Sequence, residues 1–233
     1  SLLAAGTGDP LRVSRPEDAA HEGAPGFDRA APFQPGVEHP SSDFPEPASA
    51  PFDPFSYRKR KADVITRGGV TLGWNEPVRV VLPRAAFKAL DPAQMKDLMP
   101  ELSLEDAAPV SVDPRDPAAV AALAEAPATL VTVADGVDMP VVQAFRLLAA
   151  LIPTRHSILL KDSLGLPQSL SAPMAGGLNI GSLLCDGIGN AVLVRTESDP
   201  EKAAKLAFNI LQASGVRLTK AEYVSRPSRG VLP

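Results

Sequence analysis

The sequence predicts an α/β fold: a short parallel sheet flanked by helices, preceded by a long, extended, proline-rich arm. Three observations support this. Apolar runs of four or five residues alternate with helical segments, as in βα units whose sheet is covered on both faces. Three Asp-Pro pairs, at residues 91–92, 116–117 and 199–200, supply an N-cap and a proline at the first helical position. Finally, ten of the 25 prolines fall within residues 1–56.

Residues 1–56 are predicted to form the extended arm, because proline fixes φ and removes a backbone donor. Alone, the arm would bury too little to offset an ordering entropy of about 1–2 kcal/mol per residue. We therefore expect it to wrap a partner, with its phenylalanines as anchors in the partner's pockets. These are Phe27, Phe33, Phe44, Phe52 and Phe55. The alternative is an arm that folds back on its own domain.

Residues 57–75 are predicted to form a basic hinge followed by a hairpin. The basic run is a solvated linker in one interpretation and rests on an acidic surface or anionic lipid in the other. Its members are Arg58, Lys59, Arg60 and Lys61. The Gly68-Gly69 pair marks the hairpin turn between Val64 and Thr71. Trp74, the only tryptophan, is predicted to be a lid on the core.

Residues 76–233 are predicted to form the α/β domain. Its apolar runs predict four strands, at Val78–Leu82, Leu130–Val133, Ser157–Leu160 and Ala191–Val194. Apolar periodicity and capping residues predict the helices, at 83–90, Ala93–Met99, Ala118–Ala126, Met139–Leu151 and Glu201–Ala213. Residues 173–185 are predicted to be a loop and a helix. The pattern fits part of a TIM-like barrel and an open sheet equally well.

Composition excludes several functions. A net charge of −4 and a pI near 5.4 argue against nucleic acid as a partner. One cysteine excludes an internal disulfide and any metal site built from several thiolates. No apolar run approaches 18 residues, so we expect no membrane span. A first residue of Ser1 suggests a processed terminus or an excised segment.

The end of the chain carries the strongest motif. Residues 220–230 read KAEYVSRPSRG. They resemble the T-E-Y-[IV]-S-C-P-S-C-G-R motif of 4-hydroxy-3-methylbut-2-enyl diphosphate synthases (IspG), enzymes of isoprenoid biosynthesis. Two earlier segments, GSLLCDGIGN at 181–190 and FNILQ at 208–212, resemble that family's G-A-L-L-V-D-G-L-G-D and F-N-L-L-Q. Residues 57–166 resemble, in pattern only, the extra middle domain of the large, plant-type form.

The resemblance implies a lost cofactor site. In the family the two motif cysteines bind a [4Fe–4S] cluster, whereas here both positions are arginine, Arg226 and Arg229. A guanidinium has no electron pair to give to iron. Cys185 is predicted to be a small buried hydrophobe rather than a ligand. We therefore expect no cofactor, no bound metal and no catalytic residue in this chain.

Two glycine pairs offer weaker signals. Gly176 and Gly177, if they precede a helix, could present backbone N–H groups to an anion, although a plain turn is the simpler interpretation. Gly187 and Gly189 are predicted to stop a helix and turn the chain into the next strand. The three histidines form no nucleophile–base arrangement.

These observations predict a catalytically inactive accessory or structural subunit of a large plastid assembly. A photosystem or another thylakoid complex is the expected partner, bound peripherally at the membrane in the chloroplast without a membrane span. Two alternatives remain open. One is a fragment of a genuine 4-hydroxy-3-methylbut-2-enyl diphosphate synthase, and the other is a diphosphate-binding module.

Overall fold

The computed structural model describes residues 57–166 and 170–218. The predicted arm with its five phenylalanines, and the motif that contains Arg226 and Arg229, lie outside the described residues. Within the described part, no helix combines the length and apolar character needed to cross a bilayer.

The core of the fold is a curved half-barrel of six parallel strands, which confirms the predicted α/β class. Two further strands, β1 and β2, form an antiparallel hairpin. The bounds are β1 Ile65–Arg67, β2 Val70–Leu72, β3 Arg79–Leu82, β4 Leu102–Ser103, β5 Val110–Val112, β6 Leu130–Val133, β7 Ser157–Lys161 and β8 Ala191–Leu193. The order across the half-barrel is β4-β3-β8-β7-β6-β5.

The half-barrel is open between β4 and β5, which follow each other in the chain yet form its two edges. Next to the β4 edge, the first strand of the sheet in the chain, β3, lies beside the last, β8, with Arg79 opposite Ala191 and Val80 opposite Val192. This is the strand order of a partial barrel that stays open between β4 and β5. It answers the open question: the sheet is a half-barrel.

Helices cover the outer face of the sheet, except for one short helix, α3 Leu104–Ala107, whose Leu104 and Ala107 pack in the apolar cluster on the inner face. Their bounds are α1 Arg84–Ala89, α2 Pro92–Met95, α3 Leu104–Ala107, α4 Pro117–Glu125, α5 Val141–Leu151, α6 Ala172–Ala175, α7 Ser182–Cys185 and α8 Pro200–Ala213. The carboxylates of Asp91, Asp116 and Asp199 cap α2, α4 and α8 as predicted. The fully buried rings of Phe145 on α5 and Phe208 on α8 belong to the outer core.

The hairpin covers the inner face of the sheet. Leu72 of β2 is fully buried in a small apolar cluster with inward-facing strand residues such as Val81, Leu130 and Leu159. The amide of Asn190 fixes the hairpin to the sheet, because it donates to the carbonyl of Gly73 and accepts from the backbone N–H of Ile158, both at 3.1 Å. The inner face is therefore apolar and filled at its amino-terminal end, here called the base.

Three local predictions are corrected. Residues 172–185 form continuous helix, with a wider π-helical stretch at Gly176–Gly181 between α6 and α7, rather than a loop and a helix. Cys185 is exposed, because it ends α7 on the side away from the sheet. Trp74 is 42% exposed and so is not a core lid.

Candidate functional site

Charged residues gather at the carboxyl ends of β6, β7 and β8, the edge where α/β proteins commonly carry their functional groups. We call this set the mouth cluster. It consists of Asp135, Lys161, Asp162, Arg195 and Thr196. Each residue ends a strand or follows one within a few positions, so the parallel sheet itself brings them together.

Asp135 is the centre of the mouth cluster. One of its oxygens, Oδ1, lies 2.5 Å from the ammonium of Lys161 and 2.6 Å from the guanidinium of Arg195. Burial acts to raise the pKa of Asp135, but the hydrogen bonds from Arg195 and Lys161 outweigh it and hold that pKa below its usual value. Burial lowers the pKa of Lys161, and the Asp135 carboxylate partly offsets this.

Asp162 is fully buried and fastens the end of β7 to the loop after β8. Its carboxylate accepts from the backbone N–H groups of Arg195 at 2.8 Å and Thr196 at 3.2 Å, and from the Thr196 hydroxyl. Its backbone carbonyl accepts from the side-chain amide of Asn179 at 2.7 Å. Such complete pairing is what a buried carboxylate requires.

The charged groups of the mouth cluster are paired with one another or with backbone donors. Both cations share the carboxylate of Asp135, and the carboxylate of Asp162 accepts from two backbone N–H groups and the Thr196 hydroxyl, so each acid already has its partners within the cluster. In the described ranges no three His, Cys, Asp or Glu side chains are grouped to hold a metal. The cluster is best suited to hold the ends of three strands in a fixed arrangement.

At the base, the structure corrects the linker interpretation of the basic run. The guanidinium of Arg60 donates to the backbone carbonyls of the loop between α5 and β7. The acceptors are Ile152 at 3.2 Å, Pro153 at 2.5 Å, Thr154 at 3.0 Å and His156. Burial lowers the pKa of Arg60 to about 10, which leaves it protonated at neutral pH. Arg60 therefore fixes this segment to the domain.

The other three basic residues are placed differently. Lys59 is half-buried and donates to the carbonyl of Glu76 at 3.2 Å. Lys61 holds its ammonium 5.5 Å from the centre of the Trp74 ring, within cation–π range. Arg58 is exposed, while its backbone carbonyl lies against Gly187. Whether they bind a partner stays a prediction.

The predicted anion site at Gly176 and Gly177 does not lie at the start of a helix. Gly176 and Gly177 lie inside the helix rather than before its first turn, and the N–H of Gly176 already donates to the carbonyls of Ala172 and Pro173. Gly187 and Gly189 adopt positive φ between α7 and β8, as the predicted turn requires.

A [4Fe–4S] cluster does not fit the donor set of this chain. The guanidinium groups of Arg226 and Arg229 have no electron pair for iron, whatever their position. Cys185 is the only thiol, and no cluster of carboxylates or imidazoles accompanies it in the described part.

Sequence reasoning did not identify the mouth cluster. Lys161 and Asp135 are 26 positions apart, so no local motif joins them. A signal was nevertheless present, because Asp135, Lys161 and Arg195 each stand at or just after the end of a predicted strand. In a parallel sheet those positions converge at one edge.

Comparison with known proteins gives a clear set of relatives. No protein-family model matches the chain. The chain is 51% identical over 238 residues to the 4-hydroxy-3-methylbut-2-en-1-yl diphosphate synthase (flavodoxin) of Akkermansia muciniphila. The alignment covers 99% of this chain and 40% of that relative.

Two further relatives match a smaller part. The synthase (flavodoxin) of Chlorobaculum tepidum is 40% identical over 53 residues, 23% of this chain and 7% of the relative. The synthase (ferredoxin) of Crocosphaera subtropica is 47% identical over 51 residues, 22% of this chain and 13% of the relative. Each of these two matches covers under a quarter of this chain.

Proposed function

This chain belongs to the 4-hydroxy-3-methylbut-2-en-1-yl diphosphate synthase family, and we propose that it is a segment of an enzyme that makes this diphosphate in isoprenoid biosynthesis. The observation that carries the proposal is 51% identity across 99% of the chain. The chain spans 40% of the length of that relative. The proposed activity is therefore that of the longer polypeptide, to which this chain contributes its α/β domain.

The main function predicted from the sequence is wrong. An inactive accessory subunit of a photosystem is contradicted because the relative that matches nearly the whole chain is an enzyme, a diphosphate synthase. The comparisons fit the alternative, a fragment of such a synthase. The plastid location, the thylakoid attachment and the large protein partner stay predictions.

A domain exchange tests the proposal. Residues 57–218 of this chain replace the corresponding stretch of the Akkermansia synthase, which keeps its own residues at the positions of Arg226 and Arg229. The chimera is assayed for product with reduced flavodoxin, the protein specified in that relative's name. We expect activity within about tenfold of the parent, a change of about 1.4 kcal/mol in the activation barrier.

A matched control replaces the same stretch with a glycine–serine linker, and we expect it to be inactive. Circular dichroism and thermal unfolding establish that the chimera is folded. A folded chimera without activity would contradict the proposal, because the half-barrel would then not support the reaction of the family to which it is 51% identical.

A further inference from the structure

The base of the half-barrel exposes an unusual group of side chains, which we call the base patch. It consists of the exposed residues Tyr57, Arg58, Lys61, Val64 and Trp74, among which the ammonium of Lys61 lies 5.5 Å from the centre of the Trp74 ring and Val64 lies beside Gly73. Tyr57 is 61% exposed, Val64 59% and Trp74 42%. Grouped exposed apolar side chains of this kind mark interaction surfaces, and Trp, Tyr and Arg are the residues enriched in binding hot spots.

The base patch is held in a fixed shape before anything binds. The N–H of Arg60 donates to the carbonyl of Gly187 at 2.9 Å, and the N–H of Trp74 donates to the carbonyl of Ala62 at 3.1 Å. The Arg60 guanidinium is fixed on the loop after α5. A preformed surface loses little conformational entropy on binding, which favours affinity.

The base patch also carries net positive charge. Arg58 and Lys61 are exposed and the half-buried Lys59 lies between them, whereas Asp63 is the exposed acid that follows in the chain. Nearby Glu76 is already paired with Arg79 at 3.1 Å. The surface therefore suits an acidic segment that also carries large apolar side chains.

Such a segment immediately precedes the patch in the sequence. Residues 38–56 contain four acidic residues and no lysine or arginine: Glu38, Asp43, Glu46 and Asp53. The same stretch contains Phe44, Phe52 and Phe55. It ends one residue before Tyr57, so its effective concentration at the patch is on the order of millimolar or higher.

We propose that residues 38–56 of this chain bind the base patch in cis. The acidic side chains of this segment pair with the cations of the patch, chiefly Arg58 and Lys61. Its phenylalanines cover Tyr57, Val64 and Trp74. The segment is long enough, since 19 extended residues at about 3.1 Å each span roughly 60 Å. The inference does not depend on the proposed enzymatic function, because it uses this chain alone.

Hydroxyl-radical footprinting of the 233-residue chain tests the inference. The oxidation rate of Trp74 reports coverage of the patch, and Leu166, 41% exposed in the loop after β7, serves as the matched internal reference. A quadruple variant, E38Q/D43N/E46Q/D53N, removes the negative charge of residues 38–56. The control D9N/E17Q/D18N/E22Q removes the same charge from the distant end of residues 1–56.

We expect the first variant to raise the Trp74 oxidation rate by about threefold or more, and high salt to raise it similarly by screening. The control should leave that rate within about 30%, since those charges are far from the patch in sequence. Leu166 should be unaffected in both. Deletion of residues 1–56 should raise Trp74 oxidation at least as much as the quadruple variant does.

Three results would overturn the proposal. Equal Trp74 oxidation with and without residues 1–56 would mean that the segment does not cover the patch, which would then be free for another domain. Protection that grows with protein concentration would assign the patch to a second copy. An equal effect of both quadruple variants would show a general charge effect rather than a specific contact.

Discussion

Asp135 and Lys161, from loop and strand positions 26 residues apart, form a 2.5 Å ion pair in which the lysine is almost completely buried and the aspartate is half exposed. The asymmetry matters because water can hydrate the half-exposed carboxylate of Asp135 when the ion pair is broken, whereas the buried ammonium of Lys161 stays unhydrated. The lysine is therefore the partner that depends on the pair.

Replacing Asp135 with Asn should lower the free energy of unfolding by about 1–3 kcal/mol, because Lys161 is left buried without its carboxylate. Urea unfolding monitored by circular dichroism measures the loss. Adding Lys161→Met should recover part of it, with a coupling of about 0.5–3 kcal/mol. The surface pair of Asp113 and Arg115 provides the control: Asp113→Asn should cost under about 1 kcal/mol. Equal losses at the two sites would contradict the argument.

Arg60→Lys should destabilise the domain although it keeps the charge. A lysine ammonium cannot reproduce the planar fork that contacts four carbonyl groups, so we expect a loss of about 1.5–3 kcal/mol. Arg58→Lys, two positions away and exposed, should change stability by under about 0.5 kcal/mol. Thermal unfolding of both variants measures the difference. An Arg60→Lys variant as stable as the parent would show that the guanidinium fork is not needed for stability.

Gly187→Ala should be more harmful than Gly136→Ala, although the two glycines have φ of 78° and 80°. A Cβ at Gly187 would lie 2.2 Å from the Arg58 carbonyl oxygen, whereas one at Gly136 has nothing within 4 Å. Backbone strain alone should cost Gly136→Ala about 1–2 kcal/mol. The overlap at Gly187 should add about 1–3 kcal/mol. Similar melting temperatures for the two variants would exclude a close approach at Gly187.

The stability of the domain should fall as the pH drops below about 6.5, the ordinary histidine pKa. Burial lowers the pKa of His156, and the charges of Arg155 and Arg60 add to this, although Nε2 contacts the Leu123 carbonyl. The unfolded chain therefore binds a proton at a higher pH than the folded one, which favours unfolding in acid.

Unfolding free energies measured between pH 7.5 and 5.5 test this sign. His156→Gln should reduce the dependence, because glutamine does not titrate and its amide can still donate to the Leu123 carbonyl. A variant with an undiminished pH dependence would assign the effect to other groups.

Much of the fold could be predicted from local chemistry. The strand Leu130–Val133 has the predicted bounds, and α8 begins at Pro200, the residue that the Asp-Pro pair places at the first helical position. Both elements combine a continuous apolar pattern with clear end signals. The short edge strands β4 and β5 were missed, because two or three residues cannot establish a period.

The functional arrangement was harder to predict because it depends on contacts between distant positions. The basic run resembled a linker, since the sequence around Arg60 does not indicate that its guanidinium donates to four backbone carbonyl groups more than 90 positions away. Cys185 looked like a core residue from its apolar neighbours, yet it ends its helix turned away from the sheet. The pairing of Asp135 with Lys161 likewise follows from strand order, which the sequence pattern alone leaves undetermined.

The pairing of β3 with β8 has a consequence for how the chain folds. Arg79 must meet Ala191, so the seam of the half-barrel can form only after nearly the whole domain has been synthesised. Until then β3 can pair with β4, and β5, β6 and β7 can pair with one another, but the two groups stay unjoined. Contacts between such distant positions slow folding and expose apolar surface in the meantime. Closure of this seam is therefore the expected rate-limiting event on the ribosome, and the interval before it is when the chain is most open to aggregation.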